Sequence, residues 1–335
     1  MAVNQLNKKG IFFTFISVTL MAALIIIFTP SAAVNIGADA PVVKTRVTTV
    51  NNFVYALENS YFESILKVSS HKAIQTLISY SNANGFFADL SEVKSKFSEV
   101  VVNGTINKIP QPEMIEGNTI KNWTDRIANV SKNTLNINSE FTVNEVNISQ
   151  SRPWLVDLRM NISFLVSSET ASWDIKNYIV DAELSIEGFN DTYYFVNSWG
   201  AYKNRINRTN TTFDKWDRDK VRYHIGNATY VHFENSEAPS FLQRFTNDFS
   251  DIQQKTCCGI ESLVNPNRIL SQKYSSYVDY MFAWSATPDC NSADPSLYII
   301  TGISDAEYPN FKLDFDHVVK YKLTDYDVQI CPPLP

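Results

Sequence analysis

Residues 154–166 read WLVDLRMNISFLV, and this stretch decides the fold class. Trp154, Val156, Leu158, Met160, Ile162, Phe164 and Val166 are apolar, while Asp157, Arg159, Asn161 and Ser163 fall between them. Successive side chains of a strand point to opposite faces, so strict two-residue alternation predicts a long strand with one wet face. Related patterns occupy 135–143 and 178–186. In the latter, Tyr178, Val180, Ala182, Leu184 and Ile186 share a face opposite Asp181, Glu183 and Ser185. Three such runs in succession predict an antiparallel meander at the centre of a β-rich head.

Before the meander the period is helical. Val43, Val47, Val50, Val54, Leu57, Tyr61, Ile65 and Val68 recur at steps of three and four, which predicts an amphipathic helix over 42–80, about 55 Å long if unbroken. Pro30, Gly37 and Pro41 mark a break before it. Shorter helices are expected around Leu90, Val93, Phe97 and Val100, and around Ile120, Trp123, Ile127 and Val130. Residues 81–203 then form an α+β head. The polar stretch 204–220, NRINRTNTTFDKWDRDK, reads as an exposed loop leading to a C-terminal portion, 221–335. Strands are expected there at 221–233, 297–301 and 318–323, and a helix from Pro239 through Phe241, Leu242 and Phe245.

Residues 11–28, IFFTFISVTLMAALIIIF, contain no charge, Gly or Pro. As a helix they span about 27 Å, close to the hydrocarbon thickness of a bilayer. Lys8 and Lys9 precede the segment and no basic residue follows until Lys44, so the positive-inside rule places the N-terminus in the cytoplasm and the bulk of the chain outside. A secretory signal cleaved after Ala33 is the alternative, although the apolar run exceeds the usual length of such signals. The expected fold is therefore α+β: a long N-terminal transmembrane and amphipathic helix followed by a β-rich, mainly antiparallel extracellular head.

The chain has 335 residues, 44% of them hydrophobic, and a formal charge of −6. That composition supports a sizeable core. No basic block occurs, so the phosphate-neutralising surface that nucleic acid requires is missing. The four cysteines, Cys257, Cys258, Cys290 and Cys331, all lie late in the chain. Two disulfides joining Cys257 and Cys258 to Cys290 and Cys331 are expected, because an adjacent pair closes a strained ring. A zinc site is the competing reading, but the Cys-X2–4-Cys knuckles are missing.

Nine Asn-X-Ser/Thr sequons occur, at Asn103, Asn122, Asn129, Asn147, Asn161, Asn190, Asn207, Asn210 and Asn227, and they are candidates for N-glycosylation. Catalytic signals are weak. His71, His224, His232 and His317 are the only imidazoles, and no HExxH, GxSxG or P-loop pattern is present. His224 and His232 could share a strand face. The pairs Asp314 with Asp316 and Asp325 with Asp327 could hold a hard cation, although a solvated strand face explains them as well. Trp199, Tyr202 and Trp216 beside the polar loop could stack on sugar rings, with burial in the core as their ordinary fate. No cofactor or metal is expected.

The junction Lys8, Lys9, Gly10, Ile11 directly before the apolar segment resembles the class III signal of archaeal type IV pilins and related surface proteins. The resemblance implies cleavage between Gly10 and Ile11 by a prepilin peptidase, leaving the hydrophobic helix as membrane anchor and filament core. ELSIEGFND (183–191), SFLQRF (240–245), CGIESLV (258–264) and FKLDFDHVVKY (311–321) are similar to segments of large archaeal surface proteins with such leaders. These relatives imply a location and an architecture but no reaction. The expected function is that of a membrane-anchored surface protein, a minor or tip pilin-like subunit or an adhesin, with membrane lipid, other pilin-like subunits and surface glycans as partners. A membrane-anchored enzyme acting on glycans or peptides, or an envelope component, is the rival.

Overall fold

In the computed structural model, which describes residues 40–330 except 116, 199, 201, 235–236, 247–256, 269–274, 284–296 and 305–306, the first element is a continuous helical rod. It comprises α1 (Ala40–Ala56), a π turn (Leu57–Tyr61) and α2 (Phe62–Asn84). The π turn inserts one extra residue into the helical ladder. The buried stripe Val50, Val54, Leu57 therefore continues through Phe62, Leu66 and Ala73 instead of Tyr61 and Val68.

Helix α3 (Leu90–Asn103) starts at Asp89, whose carboxylate accepts from the Glu92 N–H at 2.8 Å while Glu92 reaches back to the Ala88 N–H, also at 2.8 Å. This reciprocal cap satisfies donors that the helix start leaves unpaired. Gly104 ends the helix in the left-handed region, at φ 73°. A tight hairpin, β1 (Thr105–Ile106) and β2 (Ile109–Pro110), follows, and Glu99 holds it through the Thr105 hydroxyl and the Asn107 and Lys108 N–H groups. Helix α4 (Ile120–Val130) completes the helical layer.

The meander is β3 (Asn138–Arg152), β4 (Leu155–Ser167) and β5 (Ser172–Ser185), antiparallel and in sequence order. Its register places Val146, Met160 and Val180 side by side on the inner face, and Asn147, Arg159 and Asp181 on the outer one. The inner face closes on the rod. The Phe62 ring lies 5.1 Å from Phe164, 6.1 Å from Phe141 and 6.2 Å from Tyr178. A shift in register between Ile162 and Phe164, opposite Asn177 at φ 53°, bends the sheet.

Beyond the sheet come α5 (Thr192–Asn197), α6 (Arg218–Asn227), α7 (Asp279–Ala283), β6 (Leu297–Ile300), β7 (Leu313–Asp314), α8 (Phe315–Lys320) and β8 (Val328–Ile330). The small sheet has the order β7-β6-β8. Several expectations are overturned here. Residues 218–227 are a helix, because Asp217 caps it and Val221, His224 and Ile225 bury one face at helical spacing. Residues 318–323 begin inside α8 for the same reason, with Asp314 as the cap. The segment from Pro239 makes only a 3-10 turn at Gln243–Phe245.

The expected fold class is corrected on two counts. The described chain is α+β with antiparallel sheets, as expected, but its strands, in two three-stranded sheets and a hairpin, share the head with as many helices. Among the described residues no helix is long and apolar enough to cross a membrane. The rod fails that test because its outer face carries Lys44, Arg46, Glu58, Glu63 and Lys67. The apolar segment 11–28 and the junction Gly10, Ile11 lie outside the described residues.

Candidate functional site: a buried ionic core and a wet sheet face

Asp191 caps α5, its Oδ1 accepting from the Tyr193 N–H at 3.0 Å. Arg244 sits in the Gln243–Phe245 turn, which is fixed by reciprocal bonds between Ser240 and Gln243. The guanidinium donates to Asp191 Oδ2 and to Asp279 Oδ2, each at 2.7 Å, and to the Ile260 carbonyl. It lies 5.7 Å and 5.4 Å from the ring centres of Tyr193 and Tyr230. All three charged side chains are 1% exposed. Burial and the Asp191 charge raise the Asp279 carboxyl to about 6 against the opposing pull of Arg244, whereas the two carboxylates hold Arg244 firmly protonated. Tyr230 donates to Asp191 Oδ2 at 2.7 Å and accepts from the Asn204 amide at 3.0 Å.

A second chain of buried groups runs beside the first. Ser276 Oγ donates to Asp314 Oδ2 at 2.7 Å, and His317 Nδ1 donates to Asp314 Oδ1 at 2.7 Å. His317 Nε2 faces Glu261 Oε2 at 3.4 Å, and the Tyr321 hydroxyl donates to Glu261 Oε1 at 3.0 Å. His224 Nε2 lies 3.4 Å from the Tyr321 oxygen, and its Nδ1 is 2.6 Å from the Thr229 hydroxyl. Because Tyr321 spends its proton on Glu261, His224 carries its hydrogen on Nε2 and accepts at Nδ1.

The two imidazoles therefore differ in charge. Desolvation lowers His224 to about 4, so it is neutral. Burial works the same way on His317, but Glu261 and Asp314 outweigh it and raise the ring to about 9. Asp314 falls to about 2, since its bonds to His317 and Ser276 overcome desolvation. An imidazolium clamped between two carboxylates is a donor at both nitrogens and cannot take a proton from Ser276, whose hydroxyl in any case points at Asp314. The cluster joins residues from four separate segments, at Glu261, Ser276, Asp314 to Tyr321, and His224 with Thr229.

The residues of the core come from the segments singled out in the sequence: Asp191 from ELSIEGFND, Arg244 from SFLQRF, Glu261 from CGIESLV, and Asp314, His317 and Tyr321 from FKLDFDHVVKY. Asp279 escaped notice. The available signal was a single charge in an otherwise apolar or hydroxylic run, as in SSYVDYMF, since an isolated charge there is buried only with a partner.

The outer face of β3, β4 and β5 is polar, with Asn147, Arg159 and Asp181 side by side on it. A groove of about 720 Å³ is lined by Asp157, Arg159, Asp181 and Glu183 of this face together with Glu63 and Lys67 of the rod, among others. Its carboxylates are paired: Asp181 with Arg159 at 2.7 Å, Glu63 with Lys67 at 2.6 Å, and Asp157 and Glu183 with Arg152. A ladder of neutralised, solvated ion pairs is the result. Asn147 and Asn161 stand on this face, and all nine sequon asparagines are described, none of them buried.

The other sequence candidates are dispersed. Cys257 and Cys258 are bonded to each other, contrary to the pairing expected with Cys290 and Cys331, which lie outside the described residues; adjacency brings the two thiols within bonding range without any long-range contact. His71 is exposed, and its ring lies tilted against Phe189 with centres 4.8 Å apart. His232 bonds the Gly259 carbonyl at 2.7 Å, and α6 removes the shared strand face expected for it and His224. Asp314 serves His317, and among the described residues no three His, Cys, Asp or Glu side chains could hold a metal ion together. Trp216 is buried against Tyr321 at 4.8 Å and Tyr202 is half-buried, while Trp199 lies outside the described residues. No family model, curated protein or solved structure matches the chain.

Proposed function

We propose that the chain is an extracytoplasmic surface protein, pilin-like in plan, held at a membrane by segment 11–28 and acting through association of its N-terminal helix. It serves as a minor or tip subunit or as an adhesin. The observation that carries this reading is the burial gradient along α1. Val50 and Val54 are buried, Val47 is half-buried and Val43 is 42% exposed. The stripe that enters the core thus runs out of the body of the protein while still apolar, and a neighbouring helix with the same spacing would cover it. The segment before it is the uninterrupted apolar run of 11–28. Further support comes from the wet sheet face, which suits exposure to solvent.

Light scattering on the full chain in detergent tests the proposal. Assemblies larger than the monomer are expected, and Val43→Asp with Val47→Asp should dissolve them without unfolding the protein. A chain beginning at residue 44 should be monomeric, and its oligomerisation at micromolar concentration would overturn the reading.

A further inference from the structure

Asparagine is spread along the whole chain, but sequons are not. Residues 103–227 contain 18 asparagines, and 9 of them are followed two places later by Ser or Thr. The other 14 asparagines, 8 before residue 103 and 6 after residue 227, supply none. Ser and Thr make up 55 of the 335 residues, so chance would complete about five of the chain's 32 asparagines, against the 9 observed. All nine lie in this one section.

The fold gives the pattern a spatial meaning. Asn103, Asn129, Asn147, Asn207, Asn210 and Asn227 are exposed, and the other three are half-buried. On β3, Asn147 lies between buried Val146 and Ile148, so a slip of one residue would have hidden it. The Asn207 carbonyl accepts from the N–H of Tyr230, three residues after Asn227, at 2.8 Å. The rod of α1 and α2 and the segments after residue 227 carry no sequon.

We propose that the section 103–227 carries N-linked oligosaccharide at these exposed asparagines, which coats the wet sheet face and leaves the rod bare for association. This rests on the extracytoplasmic placement proposed above. The donor is a lipid-phosphate- or lipid-diphosphate-linked oligosaccharide. The bond from Asn Nδ2 to the anomeric carbon forms, the bond from that carbon to phosphate oxygen breaks, the amide loses one proton, and the lipid phosphate or diphosphate leaves. A hydrated oligosaccharide at the exposed Asn147 shields the sheet face from protein partners, whereas the rod can pack helix to helix.

Peptide mass mapping of the full chain purified from its own cells, combined with protease treatment of intact cells, tests this. Sugar-bearing peptides are expected at Asn147 and at most of the other exposed sites. Ser149→Ala should remove the modification at Asn147 and Ser149→Thr should keep it, which separates sequon use from any structural role of the residue. Nine unmodified asparagines on a protein that external protease digests would overturn the coat and leave the surface placement standing. A protein that external protease cannot reach in intact cells, and whose asparagines are bare, would overturn both.

Discussion

His317 Nδ1 lies 2.7 Å from Asp314 Oδ1 across the first turn of α8, and the same carboxylate oxygen accepts the His317 N–H at 3.1 Å. Asp314 is thus helix cap and counter-ion at once, and the other face of the ring is turned to Glu261, with Tyr280 and Lys320 nearby. Because the folded His317 titrates at about 9, against about 6.5 for an unperturbed imidazole, the folded state holds a proton that the unfolded state gives up between those values. Its stabilisation is complete below about pH 6.5 and is lost as pH rises through about 9. Urea midpoints measured from pH 6.5 to 9.5 should fall, and His317→Asn should flatten that slope. An unchanged slope in the variant would remove His317 from the account.

His224 acts with the opposite sign. Its folded value of about 4 lies below the unperturbed one, so the unfolded chain takes up the proton first as pH falls. His224 by itself lowers stability as pH falls from about 6.5 to 4, whereas Asp279, raised to about 6 in the fold, acts with the opposite sign over the same interval. His224→Phe removes the first effect alone, so in the same urea series its stability at about pH 4 relative to pH 6.5 should be higher than that of the unchanged protein.

Removing Arg244 should be among the most damaging single changes. Arg244→Met leaves Asp191 and Asp279 buried without their shared cation, a loss of about 3–5 kcal/mol for a broken buried pair. Chemical denaturation should show a lower midpoint with an unchanged slope. Adding Asp191→Asn and Asp279→Asn should recover part of the loss, since the uncompensated charges are then gone.

Phe62 and Arg159 should behave in contrast although both belong to the meander's packing. Phe62→Ala opens a cavity among Phe141, Phe164 and Tyr178 and should cost about 3–5 kcal/mol. Arg159→Ala removes an ion pair whose partners are 64% and 61% exposed, and its effect on thermal unfolding should stay within experimental scatter in moderate salt.

Gly259→Ala should misfold the C-terminal portion. A methyl group there would run into the Ala238 carbonyl, at the point where Ser240 and Gly259 pair. Backbone cannot move aside as a flexible side chain can. Gly188→Ala, whose methyl group would meet nothing within 4 Å, should be milder despite its φ of 90°, and circular dichroism of the two variants compares them directly.

The sequence by itself determined the elements whose period is long and clean. Alternation over 154–166 placed β4 and its wet face, and three-and-four spacing placed the rod, α3 and α4, because side-chain direction in a strand or helix is a local property. The spacing also distributed the sequons. Only the tertiary structure decided the rest. The π turn at Leu57–Tyr61 moved the buried stripe by one residue, which no pattern of apolar spacing announces. Residues 218–227 and 315–320 became helices because Asp217 and Asp314 cap them and the core receives their faces. The convergence of Asp191, Arg244, Glu261, Asp279, Asp314 and His317 joins residues up to 126 positions apart. All but Asp279, the lone charge of SSYVDYMF, look like ordinary surface charges in their own segments. Desolvation makes such charges choose partners, and desolvation exists only once the chain has folded around them.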